Sequence, residues 1–135
     1  MWEVDLFITK DGKCPSREFL DGLSPSLDLP FVMNDLKRLE EFGHLLHRPQ
    51  VEYLKRGIYE LRTHTPSGQI RLLYFFFNQE KIIISHGIRK EKKVPIGEID
   101  RAVANKEDYF KRHERKSSVQ EKQMKGKGNS RRKLK

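Results

Sequence analysis

The chain has 135 residues and a mass of 16.0 kDa, which is enough for one small domain with a modest core. The longest purely apolar run, "LLYFFF", is far shorter than the roughly 20 residues of a membrane-spanning helix, and the N-terminus lacks the basic-then-apolar pattern of a secretory signal. Cys14 is the only cysteine, which excludes an internal disulfide. We therefore expect a cytoplasmic protein without membrane contact.

The first third of the chain predicts one strand followed by two helices. Apolar residues alternate in "WEVDLFI", as is typical of a strand. The segment "PSREFLDGL" predicts a short helix with Ser16 as a candidate N-cap. Residues 29–42 then place apolar side chains at helical spacing, and Gly43 is the expected stop.

The middle of the chain changes to a strand pattern. Short linkers, "TPSG" and "NQE", separate the last three β-prone runs and predict hairpins. The four runs are "VEYLKRG", "IYELRTH", "QIRLLYFFF" and "KIIISHGI". A helical segment, "IGEIDRAVANKEDYFKRH", follows them. We predict an α+β fold: a small, mostly antiparallel sheet formed by the N-terminal strand and a C-terminal meander, with two N-terminal helices and one C-terminal helix on one side.

The positive charge is concentrated at the C-terminal end. The chain has a formal net charge of +9, and residues 114–135 carry nine Lys or Arg against two Glu. This segment has no apolar periodicity, so we predict a domain at 1–113 and a basic, disordered tail at 114–135. The tail either binds polyanions non-specifically or only aids solubility.

Two arginines lie in strand patterns where charge is unusual. Alternation along "IYELRTH" places Glu60, Arg62 and His64 on one face of the strand. Arg71 lies between Ile70 and Leu72 in an apolar run. An arginine there either pairs with a carboxylate such as Glu60 or faces a water-filled cleft.

Five basic side chains directly follow the apolar run "KIIIS": His86, Arg89, Lys90, Lys92 and Lys93. If the hairpins align as predicted, these side chains emerge beside Arg62 and Arg71. A cleft of fixed cations suits a phosphodiester, because it stabilises the negative charge that develops on the phosphate oxygens. The sequence has no carboxylate cluster for Mg²⁺, glycine-rich phosphate loop, CxxC or HExxH, so we expect no metal or cofactor. Any cleavage would then use the 2′-OH of RNA as nucleophile.

Several of these motifs together resemble a known family. "GIYELR" at 57–62, the strand "IRLLYFF", the exit "HGIRKEKKVP" and the helix "EIDRAVANKEDY" are similar to the phage-derived Gp49-like and HigB-like toxins of the RelE/ParE superfamily. The resemblance implies a RelE-like fold and a toxin of a two-gene toxin–antitoxin pair, an mRNA interferase that cuts mRNA in the ribosomal A site. It also implies a cognate antitoxin, in such pairs often a helix-turn-helix protein.

The resemblance further implies roles for particular side chains. Arg62 and Arg71 are expected to bind phosphate and stabilise the charge of the transition state, with Lys90 and Lys93 aiding them. His86 is a candidate general acid or base. The residues expected to contact RNA are Arg89, Lys92, Lys55 and Arg56.

Tyr109, on the C-terminal helix, has two interpretations that the sequence leaves open. By resemblance it is a candidate for base stacking or proton transfer at the catalytic site. Packing of the helix against the core is the alternative.

Two other functions fit the same superfamily. The ParE branch shares the fold but inhibits DNA gyrase without cutting RNA, and a phage or genomic relic would only bind nucleic acid or its antitoxin. The presence of Arg62, Arg71 and the lysine cluster favours the endoribonuclease over both.

Overall fold

The computed structural model describes residues 1–89 and 92–126. In chain order the elements are β1 (Glu3–Leu6), α1 (Pro15–Asp21), α2 (Leu29–Phe42), a single 3₁₀ turn (Gly43–Leu45), β2 (Val51–Lys55), β3 (Ile58–Thr65), β4 (Gly68–Phe77), β5 (Lys81–Arg89) and α3 (Ile96–Gly126). The predicted α+β class and the order of its elements are confirmed.

The five strands form one mixed sheet in the order β1-β5-β4-β3-β2. Strands β2 to β5 are a continuous antiparallel meander. The two short linkers predict its β3–β4 and β4–β5 hairpins, and the β2–β3 hairpin extends it by one strand. The N-terminal strand β1 pairs with the last strand of the meander, β5. The two strands run parallel, with Glu3 opposite Lys81 and Leu6 opposite Ile84. Strands β1 and β2 are therefore the two edges of the sheet.

Helices cover both faces of the sheet, and the expectation that they lie on one side is wrong. In β4, Leu72 and Tyr74 join the core under α1 and α2, whereas Leu73 and Phe75 join the core under α3. Successive side chains of a strand point to opposite faces, so a strand that is apolar at every position needs cover on both. The run "LLYFFF" is such a strand.

A glycine ends α2 where the sequence predicts it. Gly43 has a φ of +51°, and a Cβ built on it would lie 2.0 Å from Nε1 of Trp2. Both the backbone conformation and the close indole exclude a larger residue. The N-terminus of α1 differs from the prediction: the N-cap is Cys14, and Ser16 is buried inside the helix, where its hydroxyl donates to the Ile84 carbonyl at 3.3 Å.

The β2–β3 hairpin is fixed against α3 through its turn. Arg56 and Gly57 both have positive φ, as a two-residue hairpin turn of right-handed twist requires. Nζ of Lys106 on α3 donates to the Arg56 carbonyl at 3.0 Å and would lie 2.4 Å from a Cβ on Gly57. The hairpin that carries Arg62 is thus held at its far end by the helix.

The last helix passes the predicted end of the domain. We place that end at residue 113, where a basic tail is expected to begin, but α3 continues to Gly126. The rest of the predicted tail, 127–135, lies outside the described residues. Within the part of the chain that the structure describes, no helix combines the length and the apolar composition needed to cross a bilayer.

Candidate functional site

A cleft of about 720 Å³ opens on the α3 face of the sheet. Its floor comes from β2, β3 and β4, and its wall comes from the segment before α3 and from the first turn of α3. The charged side chains that line it are Glu52, Glu60, Arg62, Arg71, Lys92 and Lys93. Val94, Ile96 and Ile99 supply the apolar part of the wall.

Two arginines lie side by side on the floor of the cleft. The β3–β4 register places Arg62 directly opposite Arg71, where like charges repel each other. Glu60 offsets the repulsion: Nη1 of Arg71 donates to both of its carboxylate oxygens at 3.1 and 2.8 Å, and Nε of Arg62 donates to Oε1 at 3.0 Å. Glu60 is 1% exposed and Arg71 is 6% exposed. One buried carboxylate therefore fixes the orientation of both guanidinium groups.

A second carboxylate holds Arg62 from the edge strand. Nη2 of Arg62 donates to Oε1 of Glu52, and Arg48 donates to Oε2 of the same carboxylate at 3.2 Å. Burial raises the pKa of Glu52, but the hydrogen bonds and charges of Arg48 and Arg62 outweigh it and lower the pKa below its ordinary value. Glu52 is therefore ionised at neutral pH, and a quarter of the Arg62 side chain, 25%, stays exposed to a ligand.

The cleft brings together four residues that the sequence predicts for the site: Arg62, Arg71, Lys92 and Lys93. Both lysines are exposed at the rim. Lys90, predicted with them, lies outside the described residues.

His86 lies under α3 and is 1% exposed. The β4–β5 pairing contains a bulge: Leu73 lies opposite His86, and the next residue, Tyr74, lies opposite Ile84. Ser85 is therefore the extra residue of β5, and its side chain contacts α3 as that of His86 does. Nε2 of His86 lies 2.9 Å from Oε1 of Glu98, and Nδ1 lies 2.8 Å from the Ser85 hydroxyl.

The partners of His86 define its protonation state. Burial and the charge of Arg101 lower the pKa of His86 to about 4, against the opposing effect of Glu98. The neutral imidazole then donates to Glu98 and accepts from Ser85, whose oxygen accepts from Asn105 at 2.9 Å. This chain of hydrogen bonds anchors the start of α3 to β5 and lies outside the lining of the cleft.

Tyr109 also lies away from the cleft, in the middle of α3. Its ring packs against Phe75 and Phe77, with centroids 5.8 and 5.1 Å away, and stacks on His113 at 3.8 Å. It lines a separate cavity near β1, and burial raises the pKa of its hydroxyl. This placement matches the packing interpretation of Tyr109.

The remaining predicted RNA contacts are engaged elsewhere on the surface. Lys55 lies 3.6 Å from Asp100, and Arg56 lies 3.3 Å from Glu107, both beside α3 at the β2–β3 turn. Arg89 points to the opposite face of the sheet, where it lies 3.2 Å from Asp28 at the start of α2.

Sequence reasoning missed the two carboxylates as site residues. The sequence indicates Glu60 only as a possible partner of Arg71, and it indicates no role for Glu52. A signal exists for Glu60, because it lies two residues before Arg62 in the same strand and therefore shares its face. Glu52 joins that face because it lies directly opposite Glu60. Among the described residues, no three His, Cys, Asp or Glu side chains form a group that could hold a metal ion.

The comparison with known proteins identifies a family model that covers the cleft. The family model for phage derived protein Gp49-like (DUF891) matches residues 18–107, a span that contains every residue of the cleft. No curated protein matches the chain.

Proposed function

Because the chain belongs to the Gp49-like family of phage-derived proteins, a RelE/HigB-type toxin family, we propose that it is the toxin of a toxin–antitoxin pair and cleaves mRNA on the ribosome. The observation that carries the proposal is the fixed pair of guanidinium groups, Arg62 and Arg71, in a cleft with Lys92 and Lys93 at its rim. Such an array fits a phosphodiester of single-stranded RNA, whose backbone enters between the rim and the floor.

The reaction proposed for this cleft is transfer of the phosphate to the neighbouring 2′-OH. The 2′ oxygen forms a bond to phosphorus, the bond from phosphorus to the 5′ oxygen breaks, and the products are a cyclic phosphate and a free 5′-OH. RNA supplies its own nucleophile, so the protein needs to orient the phosphate, stabilise charge and relay protons. DNA lacks this nucleophile.

In this proposal Arg62 and Arg71 bind the phosphate oxygens and stabilise the charge that grows on them. Their preorganisation by Glu60 is an advantage, because donors already held in place need no reorganisation during the reaction. Lys92 and Lys93 add positive charge at the rim. Lys90 is proposed for the same role on the sequence alone.

Proton transfer is assigned to the edge of the cleft. Glu52 is the more exposed of the two cleft carboxylates and is the candidate acceptor for the 2′-OH proton. Its lowered pKa makes it a weak base, so charge stabilisation carries more of the rate than proton abstraction does. The buried His86 and Tyr109 have structural roles in this scheme.

The test is primer extension on an mRNA translated by purified ribosomes. The wild type should give discrete cuts that disappear without ribosomes, and Arg62→Ala should reduce them about 10²- to 10³-fold, the usual cost of losing one donor to a developing oxyanion. Arg89→Ala is the matched control, because it removes an arginine that faces the other side of the sheet.

Each alternative result has a defined meaning. Full cutting by Arg62→Ala would refute the site while leaving the activity. If the wild type does not cut mRNA with ribosomes present, the nuclease proposal fails. Inhibition of DNA supercoiling by gyrase then becomes the activity to measure.

A cognate antitoxin is the partner proposed with this activity. Toxins of this kind are neutralised by a protein encoded beside them, so expression of the chain alone should arrest growth. Co-expression with the adjacent reading frame should restore growth.

A further inference from the structure

A second, shallower concavity lies beside the phosphate cleft, across the edge strand β2. It measures about 450 Å³ and is formed by the segment 46–48 together with the rings of Tyr53 and Tyr59. We call it the Tyr53 groove. It opens on the α2 face of the sheet, because Tyr53 and Tyr59 are cross-strand neighbours on that face.

The ring of Tyr53 is exposed and held in place at the same time. It is 54% exposed, so one face of the ring is available to a ligand. One side meets the edge of Tyr59 at 5.0 Å, and the Tyr53 hydroxyl accepts a hydrogen bond from the Gly57 amide at 3.1 Å. Tyr59 is itself stacked on buried Tyr74 at 5.6 Å. The exposed ring is thus preoriented by the core behind it.

The groove also has polar groups at its margin. Nδ1 of His47 lies 2.8 Å from the Arg48 carbonyl, which can only accept, so Nδ1 carries the proton and Nε2 of the neutral ring is an acceptor. The exposed Arg48 guanidinium adds donors. An aromatic platform with donors and acceptors around it suits a flat, heteroaromatic ligand such as a nucleobase.

The groove is continuous with the phosphate cleft. Glu52 and Tyr53 line both concavities, and the Glu52 carboxylate is shared between Arg48 on the groove side and Arg62 on the cleft side. A nucleotide joins its base to its phosphate through one sugar, so a phosphate at Arg62 brings a neighbouring base to the β2 edge.

We propose that the Tyr53 groove is a nucleobase subsite, in which the base next to the phosphate bound at Arg62 stacks on Tyr53. This rests on the proposed RNA-cleaving function and adds to it a position where the identity of the base is sensed. Stacking alone tolerates every base, and the margin formed by His47 and Arg48 supplies the selection.

The experiment measures binding of short RNA to the full chain by fluorescence anisotropy. A labelled tetranucleotide with 2′-O-methyl sugars resists cleavage, and its abasic counterparts lack one base at a time. The wild type should bind the intact strand about 5- to 140-fold more tightly than one abasic strand, which corresponds to stacking worth about 1–3 kcal/mol. Tyr53→Ala should bind the two equally, with the affinity that the wild type shows for the abasic strand.

Two variants control for the loss of an aromatic ring. Tyr53→Phe keeps the platform and loses only the hydroxyl that meets Gly57, so it should keep the preference. Phe31→Ala removes an exposed aromatic of α2 that lies outside the groove, and it should also keep the preference.

Three results would overturn the subsite: equal binding of intact and abasic strands by the wild type, binding of neither, or an equal loss for both strands in Tyr53→Ala. If Tyr53→Ala cuts mRNA on the ribosome as the wild type does, the subsite is refuted and the nuclease proposal stands. If the preference for the intact strand depends on Tyr53 but the wild type does not cut RNA, the nuclease proposal is refuted and the subsite stands.

Discussion

The two faces of the sheet bury different chemistry, although helices cover both. Under α1 and α2 the described strands bury no charged residue, and their buried polar groups are the hydroxyls of Thr63 and Tyr74. The buried carboxylate on that side, Asp28, belongs to the start of α2 and not to the sheet. Under α3 the same sheet buries Glu60, Arg71 and His86. A sheet face that only stabilises the fold can be apolar throughout. Buried charge in the strands on one face therefore indicates that this face also has a function.

That difference separates stability from function within one small domain. A buried ion pair is weak evidence for stability, since desolvation offsets much of the attraction between the charges. The Glu60–Arg71 pair lies at the floor of an open cleft, where its use is to hold Arg71 and Arg62 in a fixed orientation. The predictions below test this contrast, beginning with the largest expected effect.

Replacing Glu60 should cause the largest loss of stability. Glu60→Gln removes the buried negative charge to which Arg71 and Arg62 donate, and we expect the free energy of unfolding to fall by about 3–5 kcal/mol in urea denaturation. The matched control is Glu107→Gln, which breaks an exposed pair with Arg56 and should cost no more than about 1 kcal/mol. Equal losses in the two variants would mean that the buried charge is not special.

Acid should destabilise the protein through His86. Its pKa is about 4 in the folded state and ordinarily 6.5, so the unfolded chain takes up the proton first. His86 therefore has no effect on stability above about pH 6.5, and stability falls as the pH drops from 6.5 to about 4, by up to about 3 kcal/mol. Urea denaturation between pH 7 and 4 measures this loss.

Two histidine variants isolate that effect from the carboxylates that titrate at the lower end of the range. His86→Gln should flatten the dependence between pH 6.5 and 4.5, whereas His64→Gln, at an exposed position, should keep the slope of the wild type. An unchanged slope in His86→Gln would assign the acid sensitivity to other groups.

Arg71→Lys should slow the proposed cleavage while preserving the charge. Arg71 donates through Nη1 to both oxygens of Glu60 and through Nη2 to Gln69 at 3.1 Å, and an ammonium cannot reproduce that planar arrangement. Loss of one charge-assisted bond is worth about 1.5–3 kcal/mol, or roughly 10- to 100-fold in rate. Single-turnover cutting on programmed ribosomes measures it, and a wild-type rate would show that charge alone suffices.

Arg89→Ala should have the smallest effect, confined to stability. Arg89 pairs with the buried Asp28; burial raises the pKa of Asp28, and its hydrogen bonds to Ser67 and Arg89 lower it by more. Loss of this half-exposed partner should cost about 1 kcal/mol in urea denaturation and leave mRNA cutting unchanged. A strong loss of cutting would place an RNA contact at the Arg89–Asp28 pair, outside both the cleft and the Tyr53 groove.

The period of the hydrophobic pattern was enough to predict most of the fold. The hairpins, the meander and the helix stop at Gly43 follow from alternation and turn chemistry, which act over a few residues. The position of α3 on the second face was also encoded, because both alternating sets in "LLYFFF" are apolar. A strand that is apolar at every position does not fit a sheet with one covered face, so the prediction of helices on one side only is wrong.

The site was less predictable because its details depend on contacts distant in sequence. The pairing of Arg62 with Arg71 follows from the hairpin register, which short linkers fix. Ser85 and His86 both meet α3 through a bulge that no local motif announces. Glu52 becomes part of the site only once β2 pairs with β3.

The parallel pairing of β1 with β5 has a consequence for the order of folding during synthesis. Glu3 is synthesised long before its partner strand, which begins only at Lys81, and Ser16 of α1 likewise waits for Ile84. The β3–β4 hairpin with its two arginines needs only neighbouring chain and forms early, because local contacts close at low entropic cost. A nascent chain therefore carries its arginine pair before its N-terminal strand has a place in the sheet, and that strand docks only when most of the domain has been made.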